Sequence, residues 1–340
     1  METNAPSPAA AIVAGRIDRP GDLGRLRRLD RCATEDGFLA VAAIDHPTVL
    51  LRSTDGVRPD AHEAAQLKLK VIRALAPHAS GFLLDPEFSI AQSTVSGALP
   101  GSVGMIANIE RMRETEDGFE RTVDLRPGWT PDRIAAAGAD GAKFVFFHRS
   151  ELPEAADDVA RVRELATACH AVGLPCIIEP LWYPLDGEDV ADPAVQRARA
   201  EAIVASAARF AACGADVMKM QFPGAVGDAT GRADAASAAE DLDAALDVPW
   251  VLLSEGVGYE EFAVQLELAA AAGASGFMAG RAVWKEAVAS GGADEAVALA
   301  VDRLARLTAI IRAQGRPWRE PVASGQVDAS LAGSWWTAAG

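Results

Sequence analysis

The sequence predicts a (β/α)₈ barrel, a closed parallel sheet of eight strands ringed by helices. Eight apolar runs of strand length occur along the 340 residues, and helical stretches separate them. The runs are apolar throughout, which indicates strands that are buried on both faces of a parallel sheet. Eight such strands alternating with helices most simply close into a barrel. An open doubly wound sheet is the competing arrangement, but no GxGxxG motif follows the first run.

Each predicted strand is bounded by Gly, Pro or Asp, which interrupt regular structure. In chain order, the strands cover residues 38–45, 81–86, 102–110, 141–147, 174–180, 215–222, 249–256 and 275–280. The predicted helices cover residues 61–77, 87–97, 130–138, 150–172, 193–212, 233–246, 258–272 and 292–313. Thr130 and Asp192 each precede a proline, which gives two helices a capping side chain and a favourable first residue. Gly138, Gly214 and Gly273 precede strands and are typical of helix C-caps.

The elements follow one another without a low-complexity linker wide enough to mark a domain boundary. We therefore predict one catalytic barrel domain over residues 21–313. A flexible leader over residues 1–20 precedes it, and a tail over residues 314–340 follows it. Two adjacent tryptophans in the tail, Trp335 and Trp336, suggest that the tail docks on another surface.

The composition excludes several classes of partner. The chain carries 48 acidic and 32 basic residues, a formal charge of −16, which argues against nucleic acid or an anionic membrane as partner. No uncharged apolar run approaches the roughly 20 residues of a membrane helix. The N-terminus has no basic segment before its short apolar patch, unlike a signal peptide. The four cysteines are far apart, which is typical of reduced thiols in a cytoplasmic protein.

In barrel enzymes the catalytic residues lie at the carboxyl ends of the strands, and this chain has two lysines in such positions. Only five of the 32 basic residues are lysines, yet Lys143 and Lys219 lie inside apolar segments. Burial lowers the pKa of a lysine, and a neutral amine attacks carbonyls to form a Schiff base. The alternatives for either lysine are a buried ion pair or a side chain that extends out of the barrel mouth.

Carboxylates end several of the other predicted strands. Glu179 could be a general acid or base whose pKa is raised by burial, or it could form a salt bridge. Asp45 could be a base, a metal ligand or a cap for the following turn. Asp85 and Glu87 could hold a divalent metal, although an acidic pair in this position more often caps a helix. The five histidines lack the spacing of a zinc site.

The last two strands predict a phosphate site. Ser254 and Gly256 follow the seventh strand, and Gly280 and Arg281 follow the eighth. In barrels, these loops often bind phosphate through backbone N–H groups and the N-terminus of a short helix. Arg281 could add a charge-assisted hydrogen bond. The alternative is ordinary turn chemistry with glycine.

Taken together, the strand ends resemble those of class I, Schiff-base-forming aldolases. The set is Asp45, Lys143, Glu179, Lys219, Ser254 and Arg281, in that order along the chain. The closer resemblance is to the tagatose-1,6-bisphosphate aldolase and sulfofructose-phosphate aldolase group, and it spans residues 38–290. Matching segments include FLAVAAIDH, GFLLDPEF, GADGAKFVFF, CIIEPLWYP, GADVMKMQFP, PWVLLSEGV and AGASGFMAGRAVW. The resemblance implies a (β/α)₈ fold, no metal or other cofactor, Lys219 as Schiff-base lysine and Glu179 as acid/base.

Two departures from the family pattern concern the substrate. The family has Asp-Gln-Arg at the first strand, where this chain has Asp45-His46-Pro47. It has a small residue where this chain has Glu255. Either change could alter which anionic group the substrate carries. For the distal end of the substrate, the sequence offers His46 and Arg149 instead.

The resemblance implies an aldolase that cleaves a ketose phosphate to dihydroxyacetone phosphate and an aldehyde. The expected partner is thus a small-molecule sugar phosphate, and we expect a cytoplasmic homo-oligomer. Two alternatives come from other classes. One is a metal-dependent barrel lyase that uses Asp85, Glu87 and Glu110. The other is a sugar-phosphate-binding regulator that kept the barrel without turnover.

Overall fold

A computed structural model of the protein describes residues 20–45, 60–115 and 118–320, without the side chains of 113–122. Eight parallel strands close into a barrel in the order β1-β2-β3-β6-β7-β8-β9-β10 and back to β1. Their bounds are β1 Leu39–Ile44, β2 Gly81–Leu84, β3 Gly104–Asn108, β6 Gly141–Phe147, β7 Cys176–Leu181, β8 Val217–Met220, β9 Trp250–Leu253 and β10 Gly276–Ala279. The predicted (β/α)₈ fold is therefore confirmed.

Helices surround the barrel. They are α1 Pro20–Arg31, α2 Ala61–Leu75, α3 Ile90–Val95, α4 Pro131–Ala136, α5 Ala155–Ala171, α6 Pro193–Ala211, α7 Ala229–Ala244, α8 Tyr259–Ala272, α9 Arg281–Ala289 and α10 Asp294–Gln314. Asp192 caps α6 by accepting a hydrogen bond from the backbone of Ala194, as its position before a proline predicts. No helix in these ranges is both long enough and apolar enough to cross a membrane.

The barrel separates two apolar layers. The outer layer lies between the strands and the helices, and it includes Phe144, Phe210 and Phe262. The inner layer fills the barrel with inward-facing side chains from the strands and ends below against Leu29, Cys32 and Trp318. Because the interior is filled, the barrel leaves room for a ligand at its mouth, at the carboxyl ends of the strands.

Helix α1 closes the bottom of the barrel and was not predicted from the sequence. On this helix, the guanidinium of Arg25 is buried and forms ion pairs with Asp216 at 2.6 Å and with Asp22 at 2.8 Å. Arg25 also lies 3.0 Å from the Nε2 of His170. The segment is mostly polar, and ion pairs supply part of its anchorage. Leu23, Leu26 and Leu29 nevertheless recur every three residues, so this helix could have been predicted from the sequence.

Two other elements were not predicted. The first is an antiparallel hairpin of two strands, β4 Glu110–Thr115 and β5 Gly118–Leu125. The sequence predicted a single strand over residues 102–110, but β3 ends at Asn108 and the hairpin begins at Glu110. A short helix, α9, follows β10 before the predicted last helix. The tail contributes Trp318 to the bottom of the barrel, whereas residues 1–19 and 321–340, with Trp335 and Trp336, lie outside the described residues. The predicted domain boundaries stay predictions.

Tight docking of α1 beneath β3 predicts a cost for any side chain at Gly104. A methyl group there would lie 2.6 Å from the Cα of Cys32 and 2.8 Å from the carbonyl of Arg31. Gly104→Ala should lower the free energy of unfolding by about 1–3 kcal/mol, because the neighbouring backbone must move. Urea titration followed by circular dichroism measures this. Gly101→Ala is the control, since its methyl group meets nothing within 4 Å; equal stabilities for the two variants would contradict the docking of α1.

Candidate active site

A cluster of three carboxylates surrounds one ammonium group at the mouth of the barrel. The Nζ of Lys143, on β6, lies 2.5 Å from Glu110, 2.9 Å from Asp45 and 3.3 Å from Glu179. These carboxylates come from three different places: the end of β1, the start of the hairpin and the end of β7. All four side chains are almost completely buried. An ammonium group has three N–H donors, so three carboxylates satisfy it.

Burial and charge compete at Lys143. Burial alone would lower the pKa of Lys143, but the combined charge of Asp45, Glu110 and Glu179 outweighs it and holds this pKa well above its usual range. The pKa of Glu110 is raised by its burial, against the lowering effect of Lys143, and the nearby charges of Asp45 and Glu179 add to the rise. Lys143 is therefore a fixed cation at neutral pH.

The second lysine has a simpler environment. Lys219 projects from β8, the strand next to β7, and its Nζ lies 2.9 Å from the Oε2 of Glu179. The same carboxylate oxygen also faces Lys143. Among the described residues, Glu179 is the one carboxylate within ion-pair distance of Lys219. The two lysines at the barrel mouth thus differ in the number of carboxylates that pair with them, three for Lys143 and one for Lys219.

Eight of the ten predicted site residues line one cavity of about 270 Å³ at the mouth. They are Asp45, Lys143, Glu179, Lys219, Ser254, Gly256, Gly280 and Arg281. A pocket of this size suits a compact small molecule. Apolar side chains complete its wall, including Met112 from the hairpin, Phe147 at the end of β6 and Trp182 just after β7.

One side of this cavity has the features of an anion site. Gly256 has a φ of 85°, and a side chain there would lie 2.6 Å from the Nη2 of Arg281, so glycine lets the guanidinium lie against the backbone. Gly280 donates its N–H to the Oγ of Ser254 at 3.4 Å and immediately precedes α9. Arg281, exposed to solvent, forms no ion pair with any carboxylate in the described part of the chain. Helix N-terminal amides beside a guanidinium attract anions.

Glu255 lies beside this anion side and also lines the cavity, and its carboxylate is held by two neighbours. It forms an ion pair with the Nη2 of Arg199 at 2.8 Å and accepts a hydrogen bond from Gln221. Its φ of 45° makes it the one non-glycine residue with a positive φ in the described ranges. Gln221 in turn bonds the backbone N–H and C=O of Trp182. This network links the loops after β7, β8 and β9.

Sequence reasoning missed Arg199, Gln221 and Trp182. Gln221 could have been found, because it lies two residues after Lys219 and therefore faces the same side of its strand. Arg199 lies on α6 and reaches the mouth from outside the barrel, so no strand-end rule would have found it. Met112 was missed because the hairpin itself was not predicted.

Of the remaining two predicted residues, one lies outside the described residues and the other, Arg149, does not line the cavity. His46 lies outside the described residues. Arg149 stacks over Trp182 at 4.9 Å, and its guanidinium is held by Glu151 and Glu188, at 2.5 and 2.7 Å, and by the carbonyl of Tyr183. The pairing lowers the pKa of Glu188 to about 2, chiefly through its hydrogen bonds with Arg149. Arg149 thus braces the loop after β7.

The carboxylates of the metal-dependent alternative do not converge. Asp85 is buried against Lys68 and accepts hydrogen bonds from the backbone of Glu87 and Phe88, which is a turn cap. Glu87 pairs with Arg126, and Glu110 pairs with Lys143. In the described ranges, no group of three or more His, Cys, Asp or Glu side chains is arranged to hold a metal ion.

The fold and the mouth together define a class of protein: a (β/α)₈-barrel enzyme whose polar site lies at the carboxyl ends of the strands. The family model described as DeoC/LacD family aldolase matches residues 39–286, and the chain belongs to that family. It is therefore an aldolase and a lyase. The resemblance drawn from the strand-end residues is confirmed, and the non-catalytic regulator and the metal lyase lose their support.

Individual relatives agree with this family. The chain is 29% identical over 274 residues to tagatose 1,6-diphosphate aldolase 2 of Streptococcus pyogenes serotype M1, covering 74% of this chain and 82% of the relative. Among solved structures, a fructose-bisphosphate aldolase from Plasmodium falciparum matches with a TM-score of 0.65 at 16% identity, covering 88% of this chain and 97% of that one. A Schiff-base-forming fructose-1,6-bisphosphate aldolase matches with a TM-score of 0.57 at 15% identity, over 84% and 98%. These structures share the fold.

Proposed function

We propose that the protein is a class I aldolase that cleaves a ketose phosphate to dihydroxyacetone phosphate and an aldehyde through a Schiff base on Lys219. The observation that carries this proposal is the contrast between the two buried lysines that line the cavity. Three carboxylates hold Lys143 as a cation, whereas Lys219 contacts a single carboxylate, 2.9 Å away. The curated relatives named as tagatose 1,6-diphosphate aldolases and the Schiff-base-forming structural relative support it.

The first half of the reaction builds an electron sink. The amine of Lys219 attacks the ketone carbon and forms a carbinolamine. Glu179 donates a proton to the departing hydroxyl, so that water leaves and a protonated iminium remains. Glu179 is suited to this role because its Oε2 faces Lys219 at 2.9 Å and Lys143 at 3.3 Å. One carboxyl group thus lies between the nucleophile and the fixed cation.

The second half breaks the C3–C4 bond. Asp45 removes the proton of the C4 hydroxyl, the aldehyde departs, and the bonding electrons move into the iminium to give an enamine. Protonation of the enamine and hydrolysis of the imine then release dihydroxyacetone phosphate and restore Lys219. Lys143 lies 2.9 Å from Asp45 and balances its charge. No metal ion or organic cofactor enters these steps.

The phosphate next to the ketone would bind at the anion side of the cavity, at Ser254, Gly256, Gly280 and Arg281. Glu255 does not oppose this, because its carboxylate is paired with Arg199. The family's Gln-Arg after Asp45 is missing, and Arg149 is paired with Glu151 and Glu188. We therefore propose a ketose 1-phosphate as substrate, with a lesser role for a phosphate or sulfonate at C6. A cytoplasmic location and a homo-oligomer stay predictions.

Borohydride trapping tests the role of Lys219. Reduction of the iminium should attach the three-carbon or ketose phosphate to the Lys219 peptide, as measured by mass spectrometry after digestion. Lys219→Arg should abolish trapping, because a guanidinium stays protonated and cannot attack a carbonyl. Lys285→Arg, at an exposed lysine, is the matched control and should trap like the wild-type protein. An adduct on Lys143 would reverse the assignment of the two lysines.

Variants of Glu179 and Asp45 should be defective in different steps of the reaction. Glu179→Gln should slow imine formation, because the carbinolamine loses its acid. Asp45→Asn should still allow trapping but slow cleavage, because only the later base is lost. Each defect should be roughly 10²–10⁴-fold in its own step. Single-turnover trapping and aldehyde release, measured in parallel, separate the two; equal defects in both steps for both variants would remove the distinction.

A third prediction concerns how the enzyme binds the anionic groups of its substrate. Arg281→Ala should raise KM for a ketose 1-phosphate by roughly 10- to 100-fold, since a charge-assisted hydrogen bond contributes about 1.5–3 kcal/mol. The wild-type enzyme should show comparable kcat/KM for the 1-phosphate and the 1,6-bisphosphate of one sugar. A preference above about 100-fold for the bisphosphate, worth about 2.7 kcal/mol, would demonstrate a dedicated second anion site.

A further inference from the structure

Glu110 belongs to the charged cluster but not to the cavity. It is the first residue of β4, immediately after β3, and its carboxylate contacts Lys143 at 2.5 Å. Asp45 and Glu179 line the cavity together with Lys143, whereas Glu110 does not. Glu110 therefore approaches Lys143 from the protein interior, where a substrate does not reach it. The mechanism above gives it no role.

The backbone and the side chain of Glu110 are both held. The guanidinium of Arg126 donates to the carbonyl of Glu110 at 3.4 Å, and the backbone N–H of Val145 donates to its Oε2 at the same distance. These bonds fix the base of the hairpin against β6. The carboxylate is thus built into the fold at a set distance from Lys143.

The charges around Glu110 do not balance. The charged and titratable groups that face this cluster are Asp45 after β1, Arg126 after β5, Lys143 on β6, Glu179 on β7 and Lys219 on β8. Three buried carboxylates oppose the two lysines, while the charge of Arg126 is matched by its ion pair with Glu87. Excess negative charge in a buried site favours the retention of a proton, and such protons belong to the coupled group of residues.

We propose that Glu110 is a positioning residue for the aldolase reaction: its carboxylate holds the ammonium of Lys143 away from the ketone and adds a third negative charge beside Asp45 and Glu179. This inference rests on the proposed function, since it assigns Lys219 as the nucleophile and the other two carboxylates as acid and base. Lys143 donates a hydrogen bond to Glu110 and forms ion pairs with Asp45 and Glu179, and as a cation its nitrogen has no lone pair for attack.

The test is the pH dependence of kcat/KM for Glu110→Gln, which keeps the shape and removes the charge. Removing one negative charge from the cluster weakens the hold of the coupled group on its protons, so the acid limb should move to lower pH. The probes are fructose 1-phosphate and tagatose 1,6-bisphosphate, and the one that the wild-type enzyme cleaves faster is used. At the pH optimum, kcat should fall by less than the roughly 100-fold typical of a lost acid or base.

Two further variants isolate the charge effect. Glu110→Asp keeps the charge but shortens the side chain, so its acid limb should stay at the wild-type position while kcat falls. Asp140→Asn is the control, because it removes a buried carboxylate at the opposite end of the barrel. Burial raises the pKa of Asp140, and its side chain accepts a hydrogen bond from the backbone N–H of Met105. Its acid limb should not move. The position of the acid limb thus distinguishes a variant that only destabilises the fold from one that changes the charge of the cluster.

The outcomes separate this inference from the proposed function. Borohydride trapping on Lys219 in the wild-type enzyme and in Glu110→Gln, together with a shifted acid limb, supports both. An unshifted acid limb in Glu110→Gln with trapping retained would overturn the role of Glu110 alone. An acid limb that moves equally in Asp140→Asn would overturn it as well. Failure of the wild-type enzyme to trap any ketose phosphate on Lys219 would overturn the proposed function and this role with it.

Discussion

One buried ammonium held by three carboxylates is the interaction on which the mouth of this barrel depends. Lys143 joins residues that are far apart in the sequence: Asp45 after β1, Glu110 at the hairpin and Glu179 on β7. Taking any one of these charges out of water is costly, and each is tolerated because the others compensate it. Removing one partner would leave a buried charge without compensation, so the cluster constrains both the fold and the chemistry. It also explains why two lysines with similar burial have different roles.

The rest of the mouth is arranged around this fixed charge. Lys219 shares Glu179 with Lys143, which places the proposed nucleophile and the proposed acid beside the fixed cation. The anion side lies across β9 and β10, where Gly256 allows Arg281 to approach the backbone. Between the two, Gln221 and Glu255 connect neighbouring loops, and the carboxylate of Glu255 is paired with Arg199. A substrate bound by its phosphate would therefore present its ketone to Lys219.

The sequence was sufficient for the features that follow from strand periodicity. Eight fully apolar runs predicted the barrel, and the rule that chemistry gathers at the carboxyl ends of its strands brought Asp45, Lys143, Glu179, Lys219 and Arg281 into one site. Features held by polar contacts escaped prediction. Helix α1 is anchored in part by Arg25 and its ion pairs, and Arg199 reaches Glu255 from an outer helix. Arg149 was expected in the site because of its position, but the carboxylates that hold it, Glu151 and Glu188, could not be assigned to it from spacing alone.

A crystal structure of the Asp45→Asn variant soaked with fructose 1-phosphate tests the central claim most directly. In that variant we expect the imine to form and cleavage to be slow, so the covalent intermediate should accumulate. The account predicts continuous electron density from the Nζ of Lys219 to C2 of the sugar, with the phosphate at Ser254 and Arg281 and Lys143 still enclosed by its carboxylates. A covalent bond to Lys143, or a sugar bound as an intact ketone with no link to either lysine, would contradict it.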